Sequence, residues 1–425
     1  MLSSNAKDLR TPRQGSMPPS STGVLIVGAG PTGMALAIVL QQAGVDCVVI
    51  DKLLQGLNTS RAAVIHAHTL EVLDDLGISR QLVERGIKIN DFCIRDRKRV
   101  LLKVGFNALP SAHSYLLMQP QDVTEKVLND RLEALGGRIY RGVIATAIEQ
   151  SPTGATVTIN TPTGEASIRA SYVVGADGMH SIVRTAAGVE FEGGSYEESF
   201  LLADVRMDWP LSGEVSLFFS PLGLLVVAPL PNGAFRVVAA VEHAPERPAL
   251  EDIQALVDAR GPATTKSAIT EVLWSSRFRL HHRVARTYRA GRLFLVGDAA
   301  HVHSPAGGQG MNTGLVDAVV LGKLITSVVR GGRPDSMLDQ YEQMRQPAAR
   351  QVLRLVGRLT GVATMRGPLK LALRNIVLSV LNALPPAKRR ILMELSGLSR
   401  AQFASFATAP ASLPVKGRPM LRRMA

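Results

Sequence analysis

The sequence predicts an α/β fold with an inserted antiparallel sheet and a helical C-terminal region. Three observations predict it. Gly23 to Lys52 reads as strand, glycine turn, helix and second strand. Gly193 to Arg289 reads as short apolar strands separated by Pro and Gly turns. Beyond Arg345 the chain turns basic and takes a helical period.

In the first unit, Val24 to Val27 is an apolar run suited to a buried parallel strand. Gly28, Gly30 and Gly33 follow as G-x-G-x-x-G, and Pro31 suits the first helical turn, where its missing N–H costs nothing. The helix is expected to reach Ala43, with Gly44 closing it in a left-handed conformation. The second strand, Cys47 to Ile50, ends in Asp51. Glycines let a backbone approach a pyrophosphate, a helix N-terminus offers it free N–H groups, and a terminal acid binds ribose hydroxyls. This Rossmann-like unit therefore points to a dinucleotide, and Asp51 favours FAD or NAD over a phosphorylated ribose. The alternative is a glycine turn that only packs.

Two later segments have the same strand–loop–helix form. Tyr172 to Arg184 carries Gly175, Asp177 and Gly178, with a helix expected near Ser181. Leu293 to Gly314 carries Gly297-Asp298 and then Gly307, Gly308, Gly310 and Gly314. Its helix is expected to begin near Asn312 or Thr313 and to end by Gly331. A metal reading of Asp298, His301 and His303 is weighed and set aside, because no further His or acid cluster follows nearby. No metal is expected, and the two histidines are read as fixing the loop. His66 and His68, on an expected helix, are poor candidates for a catalytic base, and no base is assigned.

Bulk properties narrow the classes. Aromatic residues are only 4%, few for a single-strand nucleic-acid binder, so no nucleic-acid partner is expected. Cys47 and Cys93 form no CxxC pair, which suits a reducing cytoplasm. Residues 1–22 read as a disordered lead-in without a signal-peptide core, and no run long enough to span a bilayer is expected. The net charge of +13 is concentrated: Arg345 to Ala425 holds fifteen Lys or Arg and one acid, Glu394. In Leu369 to Leu384, Lys370, Arg374, Asn375, Ser379 and Asn382 share one helical face. The plain reading is a helix packed on the body. The sharper one is peripheral contact with an anionic membrane.

With these motifs in register, the chain resembles the single-component flavoprotein monooxygenases, the FAD-dependent aromatic hydroxylases related to p-hydroxybenzoate hydroxylase and phenol hydroxylase. Ser60 to Ile78 and Gln121 to Leu128 extend the likeness, which covers roughly Gly23 to Pro347. The resemblance implies a discontinuous FAD-binding domain (23–90, 115–190 and 290–345), an antiparallel substrate domain (91–114 and 191–289) and a basic helical C-terminal region (346–425). It implies that Asp51 binds the adenosine ribose, that Arg61 lies near the pyrophosphate or flavin edge, and that Gln121 contacts the ribityl chain, with Gln119 the weaker candidate. Asp177 would serve FAD and the nicotinamide cofactor, and Asp298 the ribityl hydroxyls. Pro305 would lie against the flavin ring. The backbone N–H groups of Gly310, Met311 and Asn312 would face its pyrimidine edge. The implied reaction consumes NADPH or NADH and O2, and hydroxylates an aromatic or polycyclic, apolar small molecule through a flavin hydroperoxide. A monomer or homodimer is expected. The alternative is a flavin-dependent reductase or dehydrogenase acting on an isoprenoid-like lipid. A flavin halogenase is disfavoured because neither Trp209 nor Trp274 sits in W-x-W-x-I-P. A flavin-free chaperone is disfavoured because Asp298 and the glycine loop are intact.

Overall fold

The computed structural model describes residues 17–56, 62–241, 245–265, 267–304, 307–363, 365 and 367–405. The opening strand Ser21–Val27 pairs in parallel with Cys47–Asp51 on one side and with Gly164–Gly175 on the other. Leu293–Leu295 then pairs in parallel with Gly164–Gly175, and Ile139–Arg141 with Cys47–Asp51. Val24, Leu25, Ile26, Val173 and Val174 are fully buried, as expected for strands covered on both faces. The first helix, Pro31–Gln42, begins on Pro31, and Gly44 has a φ of +66° just beyond its end.

A second sheet is largely antiparallel. Its long strands Phe191–Met207 and Ile269–Ala285 pair along most of their length. The hairpin Glu214–Ser220 and Gly223–Pro229 turns at Pro221-Leu222, and Ala234–Val241 follows Pro231–Gly233. Asn232 takes a positive φ of 63° in that turn, which Asn tolerates better than most residues. Asp91–Arg95 and Val100–Gly105 complete the sheet, with Val100–Gly105 at its edge. One face buries Val205, Phe218 and Val237 against the helix Leu250–Arg260, an element absent from the expected meander. The other buries Phe200, Leu217, Phe219 and Leu224 in a cluster with Ala63, Ala67 and Met118. Apolar residues alternate between the two faces because side chains along a strand point to opposite sides.

The 21-residue helix Gln309–Val329 packs along the first helix. By length and hydropathy it could cross a membrane, but 72% of its most apolar window is buried inside the fold. Its one acid, Asp317, is fully buried. The carboxylate accepts from Arg345 Nε at 2.7 Å and from the Gly297 N–H at 3.3 Å, and lies 2.6 Å from His301 Nε2. His301 thus fixes the loop, and Arg345 draws in the following helix, Asp339–Ala363. These partners hold the Asp317 carboxyl below its ordinary range despite burial, which pushes the other way. Burial also lowers His66, His68 and His303 to about 4.

Removing the acid in Asp317→Ala leaves Arg345 buried without its counter-charge. We expect a loss of about 3–5 kcal/mol in urea unfolding; a loss below about 1 kcal/mol would show that the network carries little stability. The histidines set a pH dependence. Once unfolded they take up protons near pH 6.5, whereas in the fold they resist until about pH 4. The unfolded chain binds more protons in that window, so stability should fall as pH drops from 6.5 toward 4. An unfolding midpoint that stayed flat across the window would contradict this.

Candidate functional site

Three loops leave the carboxyl ends of neighbouring parallel strands: the turn after Val27, the turn after Gly175 and the turn after Leu295. Ligands of open α/β sheets bind outside those ends. The loops are packed against one another through glycine. A Cβ on Gly28 would sit 2.3 Å from the Ala176 carbonyl oxygen, and one on Gly33 would sit 2.0 Å from that of Gly28. Gly297 and Gly314 both press on the Thr32 side chain, at 2.8 and 2.5 Å from their ideal Cβ positions. Gly30 differs: nothing lies within 4 Å of its Cβ position. Gly28 and Gly33 are thus required by the fold, whereas Gly30 opens on free space, as a cradle for a phosphate should.

Two helices begin here without side-chain caps. The first starts after Gly30 and the second after Gly308, which takes φ +62°. Neither has an acid in its first turn. Their orphan N–H groups and positive dipole ends are therefore available to an anionic ligand. The second helix begins at Gln309, not at Asn312 or Thr313 as expected. Left-handed Gly308 makes the turn, so no polar cap is needed there. Gly310, Met311 and Asn312 consequently lie in the first turn. The Asn312 side chain is committed elsewhere: its Oδ1 accepts from the His66 N–H at 2.8 Å, and its Nδ2 donates to the carbonyls of Val64 and Gly308 at 2.9 and 2.7 Å. It clips the Val64–His66 segment to the helix.

Asp51 ends its strand with both carboxylate oxygens oriented by backbone, Oδ2 from Ala29 N–H at 2.7 Å and Oδ1 from Leu53 N–H at 2.8 Å. Beside the first helix lies a cleft of about 230 Å³, lined by Met34, Gln55, Gly56, Asp122, Glu125 and Arg141. Burial raises the Glu125 carboxyl, and Gln121 donates to it at 2.8 Å. Gln121 also accepts from the Ala62 N–H at 3.2 Å. Gln119, in contrast, is fully buried with neither amide atom bonded. A buried amide with no protein partner fits a site meant to hold a polar group.

Asp177 accepts from the Ile182 N–H at 2.8 Å, while its other oxygen is buried without a partner, and burial raises its carboxyl. Ser181 caps the short helix Ile182–Ala186 by accepting from Arg184 N–H. Asp298 is exposed in the turn Gly297–Ala299. Arg61 and Pro305 lie outside the described residues. Among the described residues no group of three or more His, Cys, Asp or Glu is placed to hold a metal.

Sequence reasoning missed Gln309. Its Nε2 donates to the Leu395 carbonyl at 3.0 Å and its Oε1 accepts from Arg400 at 2.7 Å, so the C-terminal segment is tied to the glycine loop. His66 reinforces this by donating from Nε2 to the Gly307 carbonyl at 2.8 Å. Asp317 was missed too, although a lone acid inside "GLVDAVVLG" is a sign of a buried ion pair.

The glycine cradle, the uncapped helix ends and the orphaned Gln119 amide fit FAD, and comparison with known proteins agrees. The FAD binding domain family matches residues 21–356. An uncharacterized aromatic compound monooxygenase of Bacillus subtilis (strain 168), YhjG, is 35% identical over 383 residues, covering 88% of this chain and 75% of that protein. The 6-methylpretetramide 4-monooxygenase of Streptomyces rimosus is 35% identical over 399 residues, covering 90% and 71%. The solved structure of the anhydrotetracycline hydroxylase OxyS from Streptomyces rimosus superposes with a TM-score of 0.76 at 32% identity, covering 89% of this chain and 76% of that one. The chain therefore belongs to the FAD-dependent aromatic hydroxylases and is an FAD-dependent monooxygenase.

Proposed function

We propose that the protein hydroxylates an apolar polycyclic aromatic molecule at the expense of NADPH or NADH. The observation that carries this reading is the apolar face of the second sheet, with Phe200, Leu217, Phe219 and Leu224, turned toward the half that holds the glycine cradle. That face is aliphatic and aromatic, and the one guanidinium on it, Arg374, lies over the Phe219 ring and donates to the Phe219 carbonyl. Relatives whose names specify tetracycline-type rings support the same class. Cys47 and Cys93 are both free thiols, which supports action in a reducing cytoplasm.

Bound FAD would supply the redox chemistry, taking electrons from the nicotinamide and using O2 to place one oxygen atom on the ring. The chain supplies position and charge. Gly30 and the first helix N-terminus hold the pyrophosphate, and Asp51 receives ribose hydroxyls on oxygens already aimed by Ala29 and Leu53. Asp298, with Gln119 or Gln121, serves the ribityl chain. The Gly310 and Met311 N–H groups, at the positive end of a long helix, stabilise negative charge on the flavin pyrimidine edge. Arg61 and Pro305 keep the roles that the family likeness gives them. The apolar sheet face excludes water from the reacting ring.

Two measurements test this. Gly30→Val should fold like the parent, since its Cβ meets nothing, but retain FAD at least about tenfold less tightly, a change of roughly 1.4 kcal/mol. Gly33→Ala should instead lose about 1–3 kcal/mol of stability through overpacking. Equal FAD retention by Gly30→Val and the parent would remove the cradle. For the reaction, stopped-flow reduction of bound FAD by NADPH and NADH should accelerate with a polycyclic phenol. The product should then be one oxygen atom heavier, with the label from 18O2. No reduction by either nicotinamide with any ring tested would move the reading toward another electron donor.

A further inference from the structure

The helix Pro368–Ala383 turns Arg374 and Leu378 inward, with Asn375, Ser379 and Asn382 half-buried beside them. Arg374 is buried, its guanidinium 4.6 Å from the Phe219 ring centroid, and it donates to the Phe219 carbonyl at 3.3 Å. Asn382 accepts from the Lys103 N–H at 3.0 Å. Lys103 lies on the edge strand Val100–Gly105, whose outward amides have no strand partner. The polar face is thus used to cover a sheet edge. The apolar face is left outside. Leu369 is 82% exposed, Leu373 60%, Ile376 59% and Val380 53%, with Val377 and Leu384 nearly as open. These side chains recur at helical spacing, so they form one continuous stripe, about 17 Å from Leu369 to Val380.

We propose that this stripe docks the enzyme on an anionic lipid bilayer. Between Gly367 and Pro386 the one exposed polar residue is Lys370; the rest are aliphatic, glycine or proline. The stripe therefore offers no directional hydrogen bond and no aromatic or arginine anchor of the kind that dominates protein interfaces. Hydrocarbon makes neither demand. The rim is basic: Lys370, Arg389 and Arg390 are exposed, and their long stems let charge reach a headgroup layer while apolar neighbours sink below it. From Arg345 to Ala425 the sequence carries fifteen bases against Glu394 alone. A second copy would bring two such segments together against their repulsion, whereas an anionic surface attracts them.

The test is sedimentation of the FAD-loaded full chain with vesicles. Binding to phosphatidylcholine vesicles containing phosphatidylglycerol is expected at low salt, with weaker binding at high salt and to phosphatidylcholine alone. The variant Leu369→Ser/Leu373→Ser/Val380→Ser changes exposed positions only and should bind roughly tenfold or more weakly. Lys370→Glu/Arg389→Glu/Arg390→Glu should lose the preference for anionic lipid. Failure of the parent to pellet with anionic vesicles would overturn the proposal. So would undiminished binding by the serine variant, which would assign attachment to another basic segment. A dimer in light scattering that the serine variant dissolves would give the stripe to a second copy instead.

Discussion

One buried carboxylate holds the two halves of the site in register. Asp317 sits on the long core helix and bonds Arg345 on the next helix and Gly297 and His301 on the loop. A charge with no solvent must be paired or it is expelled. Here the pairing fixes the backbone on which Asp298 stands. It also fixes the direction of the helix that begins in the glycine loop. The same helix packs on Thr32 through Gly314, so its position sets that of the first glycine turn as well. The site is thus built from inflexible contacts behind it, not from the loops that border it.

This division of labour explains why glycines that look alike in sequence act differently. Gly28, Gly33, Gly297 and Gly314 are small because protein lies against them, and Gly30 is small while facing open space. A phosphate cradle needs both kinds: close packing to bring strand, turn and helix together, and one gap in front of the helix end.

The glycine turn, the strand ending in Asp51, the hairpin turns at Pro221 and Asn232, and the Ser181 cap were all legible in sequence. Each depends on a backbone rule that acts within a few residues. What was not legible depends on distant partners. Asn312 reads as a helix cap, yet its side chain reaches Val64 and His66, far away in the chain. Gln309 gains its role from Leu395 and Arg400. The helix Leu250–Arg260 lay within a stretch read as meander, because turn signals on both sides dominated that reading. The amphipathic period of Pro368–Ala383 was plain, but not which face turns inward. An unpaired sheet edge reversed the usual answer, and an edge is a property of the finished sheet.

The tie between Gln309 and the C-terminal segment bears on when the enzyme becomes whole. Leu395 and Arg400 follow every strand of both large sheets in the chain, so they are synthesised after them. Until they emerge, the glycine loop lacks the groups that hold Gln309. The final arrangement of the glycine loop therefore waits on the C-terminal segment. A premature stop before Leu395, which deletes no strand of either sheet, would reach the centre of the molecule from its end.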